Sequence, residues 1–314
     1  MICFPNAKIN LGLHIISRRE DGYHNIETVF YPIGLKEALE IVPTCPNVKS
    51  APTSPDVPPA ADDKDVRFAN AGPYLTTRSA ELGGEPVLSP QYRFFQTGNV
   101  VHGNEGDNLV IKALKLISTV KVLPPIDIHL FKKIPLGAGL GGGSSDAAFM
   151  LRMLNDNFSL GYSDEELMHL ATRLGADCPF FIHNRPAFAT GIGDLLEPME
   201  LDLSSWFLLL VKPDVVVNTK EAYAMVTPRQ PELSLKEIVT KPVMEWRELM
   251  KNDFETAVFK KYPQICRIKQ QLYDLGAVYA SMSGSGSSVY GLFQREPDLK
   301  EMFSDHFIWT NKEL

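Results

Sequence analysis

The sequence predicts an α+β fold with room for two lobes, and three observations carry that expectation. An N-terminal stretch alternates apolar and polar residues with the period of a strand. A glycine-rich run at 135–143 opens directly into an apolar stripe with helical spacing, and the C-terminal part repeats the mixture as a helical stripe followed by two short strands around a second glycine run. With 314 residues the chain can bury a large core, and we place the lobes at 1–198 and 199–314.

The first strand is read from Ala7, Ile9, Leu11, Leu13 and Ile15 on one face and Lys8, Asn10, Gly12 and His14 on the other. Lys8 beside Asn10 can hold a hydroxyl or a phosphate oxygen; a solvated polar face explains the same alternation. Asp21-Gly22 supplies a tight turn and 26–33 the returning strand, so Tyr23 and His24 sit at a hairpin end where a flat base can stack and hydrogen-bond. Six prolines between Pro43 and Pro59, followed by Asp62-Asp63-Lys64-Asp65, predict a surface insertion extending over about 43–98. Asn108 then caps a helix over 109–117.

Alternation from Ile126 predicts a strand running into the glycine loop, with Lys132 and Lys133 at its end. Either lysine can neutralise a substrate phosphate, and an ordinary basic strand end is the equal alternative. The loop itself is Pro135, Leu136, Gly137, Ala138, Gly139, Leu140, Gly141, Gly142 and Gly143, followed by Ser144 and Ser145. Glycines let backbone N–H groups converge on an anion, Ser144 or Ser145 can cap the next helix, and the helix dipole favours negative charge there. A P-loop is excluded because Ser144, not Lys, follows Gly143. Gly137, Gly139 and Gly142 satisfy the dinucleotide pattern, but Pro135 precedes them and the acidic residues about twenty positions on lie in a helical segment. No H-R-D or D-F-G triplet of protein kinases occurs.

Ser163-Asp164-Glu165-Glu166 forms a capping box ahead of Leu167, Leu170, Ala171 and Leu174, with Gly175 closing the helix. Asp177 follows in a turn; a lone Asp after Gly is ordinarily a turn residue. Further on, 206–211 reads as a strand, 246–259 as a helix broken near Pro263, and Ile265, Ile268, Leu272 and Leu275 as a stripe ended by Gly276. Strands at 277–283 and 289–293 flank Gly284 and Gly286.

The run P-x-G-x-G-L-G-G-G-S-S-D-A-A resembles the central motif of the GHMP kinase superfamily. Pro5-Asn6-Ala7-Lys8-Ile9-Asn10 and Asp21-Gly22-Tyr23-His24 are similar to the branch acting on a cytidine-diphosphate-linked methylerythritol in isoprenoid precursor synthesis, and Ser283-Gly284-Ser285-Gly286 resembles the superfamily's C-terminal glycine motif. The resemblance implies a two-lobed fold and phosphoryl transfer from ATP with Mg²⁺ to that small molecule. It implies that the 135–145 loop holds ATP, that Asp177 and Lys8 are catalytic, and that Asn10, Tyr23, His24, Lys132, Thr219 and Tyr223 line the acceptor side. No dedicated metal cage is expected; the ion arrives with ATP. Other acceptors of the superfamily (homoserine, a sugar, mevalonate) and a non-catalytic nucleotide-binding regulator remain as alternatives.

The formal charge of −7 argues against nucleic acid as a bulk electrostatic partner. No run of eighteen apolar residues and no signal peptide occur, and Cys3, Cys45, Cys178 and Cys266 form no zinc or disulfide pattern, so a cytoplasmic protein without a membrane partner, a monomer or weak homodimer, is expected.

Overall fold

The computed structural model describes residues 1–44, 90–100, 103–299 and 302–312. In chain order the strands are β1 (Ile2–Cys3), β2 (Asn6–Arg18), β3 (His24–Lys36), β4 (Ala38–Pro43), β5 (Tyr92–Gly98), β6 (Ile126–Lys132), β7 (Ala187–Thr190), β8 (Leu195–Pro198), β9 (Phe207–Lys212), β10 (Tyr279–Met282), β11 (Val289–Phe293) and β12 (Phe307–Thr310). The helices are α1 (Leu109–Ser118), α2 (Gly142–Asn157), α3 (Asp164–Thr172), α4 (Cys178–His183), α5 (Thr219–Ala224), α6 (Leu235–Ile238), α7 (Val243–Leu249), α8 (Phe254–Lys261) and α9 (Pro263–Asp274). This is the α+β architecture expected.

Three four-stranded sheets organise the chain, in the orders β1-β4-β6-β5, β2-β3-β7-β8 and β10-β11-β9-β12. One core lies between the first sheet and helices α1, α2, α3 and α4, where Leu39, Ile41, Ile128 and Leu130 meet Leu114, Leu151 and Phe181. The other two cores lie where β2 and β3 meet the third sheet and the helices of the C-terminal part, around Trp246, Tyr279 and Tyr290 in one and Phe254, Ile268 and Phe293 in the other. Among the described residues no helix is long and apolar enough to cross a membrane.

Most of the segment read as an insertion, 45–89, lies outside the described residues together with its acidic run. Its last part corrects that expectation: Tyr92–Gly98 is β5, paired in parallel with β6 along its whole length. The helix expected over 246–259 is also two helices. Between α7 and α8 the chain leaves helical geometry at Lys251-Asn252-Asp253 so that its backbone can bond β2, with the Leu13 N–H donating to Lys251 O and the Asp253 N–H to Leu13 O.

β2 departs from simple alternation, and this decides what its side chains face. Every residue from Asn6 to Ile15 is buried, so the polar face is not solvated. The register with β3 slips between Leu11 (opposite Val29) and Leu13 (opposite Thr28), leaving Gly12 as an extra residue at φ +68°. A side chain there would bring a Cβ within 2.5 Å of Leu235, which explains the glycine. A one-residue bulge reverses the facing of all that follows. Ala7, Ile9 and Leu11 therefore join one core and Leu13 and Ile15 another. His14, expected on the face of Lys8 and Asn10, lines a separate cavity with Arg229 and Lys251.

Candidate active site

A cavity of about 200 Å³ lies among β2, β3, the glycine loop and the C-terminal glycine motif at 283–286, third in chain order after the motifs at 5–10 and 135–145; Lys8, Asn10, Gly137, Gly139, Gly141, Asp177, Thr219, Tyr223 and 284–286 all line it. Its charged centre is Lys8, whose Nζ stands 3.4 Å from Asp177 Oδ2. Lys8 is buried, with its ammonium 4.9 Å from the centre of the Phe30 ring, and donates to Asn10 Oδ1 at 2.5 Å. Asn10 Nδ2 donates to Thr28 Oγ1 at 3.0 Å, and that hydroxyl donates to Gly12 O at 2.6 Å. This chain of bonds uses both ends of the Asn10 amide and holds the lysine in one rotamer. Asp177 is the residue preceding α4, yet its carboxylate makes no capping bond and is one-third exposed, so it faces Lys8 on one side and open cavity on the other.

The glycine loop brings its backbone to this cavity. Ala138 and Leu140 bury their side chains, and their carbonyls accept from the Ser288 and Lys8 N–H groups at 3.2 and 2.9 Å. The three glycines between and beside them line the cavity at positive φ, 59°, 74° and 71°. From Gly139 to Ser144 the N–H groups have no protein acceptor among the described residues. Free donors at a helix start favour an anion. The helix begins earlier than expected: α2 starts at Gly142, Gly141 occupies the capping position without a side-chain bond, and neither serine is the cap. Ser144 and Ser145 lie inside the first turn, where the buried Ser145 hydroxyl has no partner among the described residues.

The His24 and Tyr223 rings stack at 4.9 Å with a 16° interplanar angle, and Phe254 stands edge-to-face with Tyr223, 4.9 Å between centroids. Burial pushes the Tyr223 phenol up to about 12, with the Asp177 charge adding to it, so the ring is neutral. Burial and the neighbouring Arg18 hold His24 below its usual range. Tyr23 is exposed at the tip of the β2–β3 hairpin, whose turn forms at Gly22 as expected. The Thr219 and Ser285 hydroxyls are 3.0 Å apart, joining α5 to the third motif.

Of the residues read from sequence, Lys8, Asn10, Asp177, Thr219 and Tyr223 come together around one cavity with the three positive-φ glycines, and His24 stacks on its wall. Lys132 does not join them. Its ammonium is buried away from the cavity, 2.5 Å from Glu37 and 2.7 Å from Asp146, so a contact with the acceptor is corrected to an internal ion cluster. Burial lowers the Lys132 pKa, but the two carboxylates outweigh this and leave it raised, so it is charged. Sequence reasoning missed Phe30 under Lys8 and also Asn252, whose amide donates to Met282 O and Gly284 O at 2.8 and 2.9 Å. Nothing in the local sequence distinguishes either from an ordinary core or turn residue.

The chain matches the models for the GHMP kinases N terminal domain over residues 108–185 and for GHMP kinases C terminal over 234–307. It is 51% identical to 4-diphosphocytidyl-2-C-methyl-D-erythritol kinase of Parabacteroides distasonis across 99% of both chains, and 41% identical to the enzyme of that name from Porphyromonas gingivalis, again across 99% of both. A crystal structure of 4-(cytidine 5'-diphospho)-2C-methyl-D-erythritol kinase superposes with a TM-score of 0.71 at 27% identity, covering 99% of this chain and 98% of that one. A mevalonate kinase structure shares the fold, with a TM-score of 0.63 at 13% identity. The glycine cradle and the Lys8–Asp177 pair thus sit in a chain that belongs to the GHMP kinases and, within them, to the 4-diphosphocytidyl-2-C-methyl-D-erythritol kinase family.

Proposed function

We propose that the chain transfers the γ-phosphoryl group of ATP to the 2-hydroxyl of 4-diphosphocytidyl-2-C-methyl-D-erythritol. The observation that carries this reading is the Lys8–Asp177 pair, 3.4 Å apart in a cavity that the glycine loop and Tyr223 also line. A triphosphate at the cradle and a cytosine at the stack would bring donor and acceptor hydroxyl together over that pair.

In phosphoryl transfer the protein contributes positioning and charge stabilisation more than covalent chemistry. Asp177 would orient the acceptor hydroxyl and take its proton, and the Lys8 ammonium beside it would favour the developing alkoxide. The unbonded N–H groups from Gly139 to Ser144 would carry charge on the phosphates. Their lack of protein acceptors among the described residues fits a phosphate anion. Mg²⁺ supplies charge neutralisation on the phosphate oxygens. The hydroxyls of Ser144 and Ser145 are the groups that would reach it, and the unpartnered Ser145 oxygen fits such a role.

The test is ADP release and product mass with ATP, Mg²⁺ and 4-diphosphocytidyl-2-C-methyl-D-erythritol, beside homoserine, galactose and mevalonate. Turnover of the cytidyl acceptor alone is the expected result. Turnover of another acceptor would discard the substrate, and ATP binding without any turnover would discard the kinase.

A further inference from the structure

Behind the glycine loop, on the side away from the cavity, three ionisable side chains are buried in mutual contact. Lys132 Nζ, at the end of β6, is 2.5 Å from Glu37 Oε1 and 2.7 Å from Asp146 Oδ2. Glu37 lies between β3 and β4, and its second oxygen accepts from the backbone N–H groups of Lys133 and Ile134 at 3.1 and 3.2 Å. Asp146 is in the second turn of α2, with Oδ1 buried and without a partner among the described residues. The three residues are each at most 3% exposed. Gly142, the first residue of α2, packs against the same group: a Cβ there would stand 3.0 Å from Ile134 Cγ2 and 3.4 Å from Glu37 Oε1.

This placement follows the ends of the loop. Its entrance, Lys132 to Ile134, is held by Glu37 through one side-chain and two backbone donors. Its exit, Gly142 to Asp146, is held by Lys132 through Asp146 and by contact with Glu37. Among the described residues, 135–141 makes no hydrogen bond to the strands of the first sheet. A buried ion cluster adds little net stability over apolar side chains of similar volume, because desolvation cancels most of its Coulombic gain. What it does supply is geometry: charge-assisted bonds are short and directional, and an apolar contact is not. Burial and the neighbouring Glu37 push the Asp146 carboxyl well above the ordinary carboxylate range, against the pull of Lys132.

We propose that Glu37, Lys132 and Asp146 form a clamp that fixes the separation of the two ends of the glycine loop and so sets its affinity for the triphosphate. All three are positioning residues: they touch neither nucleotide nor acceptor and act through the backbone of 133–142. The inference rests on the assignment of ATP to that loop and assigns Lys132 to the nucleotide half of the reaction.

The test is a comparison of KM for ATP with KM for the acceptor in the full-length chain, alongside direct ATP titration. Lys132→Met is expected to raise the ATP KM and Kd at least tenfold while moving the acceptor KM less than twofold, and Asp146→Leu to do the same. Asp146→Asn keeps an oxygen that can face Lys132, and it should recover most of the loss seen in Asp146→Leu. A merely structural role would lower the folded fraction and the melting temperature without separating the two KM values. Should Lys132→Met fail to fold, Glu37→Gln removes the charge while keeping the shape, and an ATP-selective rise of threefold or more is expected. An acceptor-selective rise in either variant, or unchanged KM values in a folded one, would overturn the clamp. A wild-type chain that shows no saturable ATP binding would overturn the ATP assignment itself.

Discussion

Ser283 Oγ donates to the carbonyl of Gly139 at 2.8 Å and accepts from the Asn10 N–H at 3.2 Å, so one buried hydroxyl ties the third glycine motif to both the 135–143 glycine loop and the strand carrying Lys8. The contact is close enough that a Cβ on Gly139 would lie 2.0 Å from Ser283 O, a backbone atom that cannot turn aside. Gly139 also has φ +74°. Gly139→Ala is therefore expected to cost about 1–3 kcal/mol from backbone strain alone, with displacement of the third motif in addition. Calorimetric ATP titration and a thermal melt check this. An alanine variant with wild-type affinity and melting temperature would contradict it.

Asp177→Asn should lower kcat by about 10²–10⁴-fold, the usual contribution of a positioned proton acceptor. Its carboxylate makes no capping bond in α4, so thermal stability should change little. Lys8→Ala differs, because it also empties a buried site among Asn10, Phe30 and Asp177, and a fall in melting temperature should accompany the loss of turnover. Rates of ADP release beside melts separate the two cases.

Tyr223→Ala removes one wall of the His24 stack. Base–aromatic stacking is worth about 1–3 kcal/mol, so the acceptor KM should rise by roughly 5- to 150-fold with the ATP KM held. Tyr223→Phe keeps the ring and loses only a phenol that is already neutral, so it should stay close to wild type. Equal effects of the two variants would show that the hydroxyl, not the ring, matters.

The hairpin turn at Gly22, the capping box at Ser163 and the cradle could be read from the sequence because each is a local signal: a residue's conformational preference or a bond within a few positions. That Asp177 and Tyr223 line one cavity with Lys8 was expected only through resemblance, since a lone carboxylate or aromatic carries no local signal of a distant neighbour. Lys132 was misplaced because its environment depends on Glu37, ninety-five positions away in the chain, and the sequence cannot show that pairing. β5 was missed because it joins β6 through a parallel pairing with no hairpin signal. His14 was assigned to the wrong face because one glycine, Gly12, shifts the period.

Acid should destabilise the fold through His14. Burial lowers its pKa from the usual 6.5, against the pull of Asp253 and Glu27 and with the help of Arg229. The unfolded chain therefore binds the proton more tightly, and stability rises with pH up to about 6.5 and falls as pH drops toward the depressed native value. His14→Gln should flatten the melting temperature between pH 5.5 and 6.5 relative to wild type. An identical pH slope in the variant would remove His14 from that account.

The extra residue at Gly12 gives β2 a property that a regular strand lacks. A regular strand shifted by two positions presents the same pattern to its neighbours, and such a misalignment can persist as a competing state. With the bulge fixed midway, a two-residue slip would carry Gly12 out of the narrow space beside Leu235 and force a side chain into it. The strand is thereby indexed like a key with a single notch: only one alignment seats Gly12, points Lys8 and Asn10 at the cavity, and sends Leu13 and Ile15 to the far core.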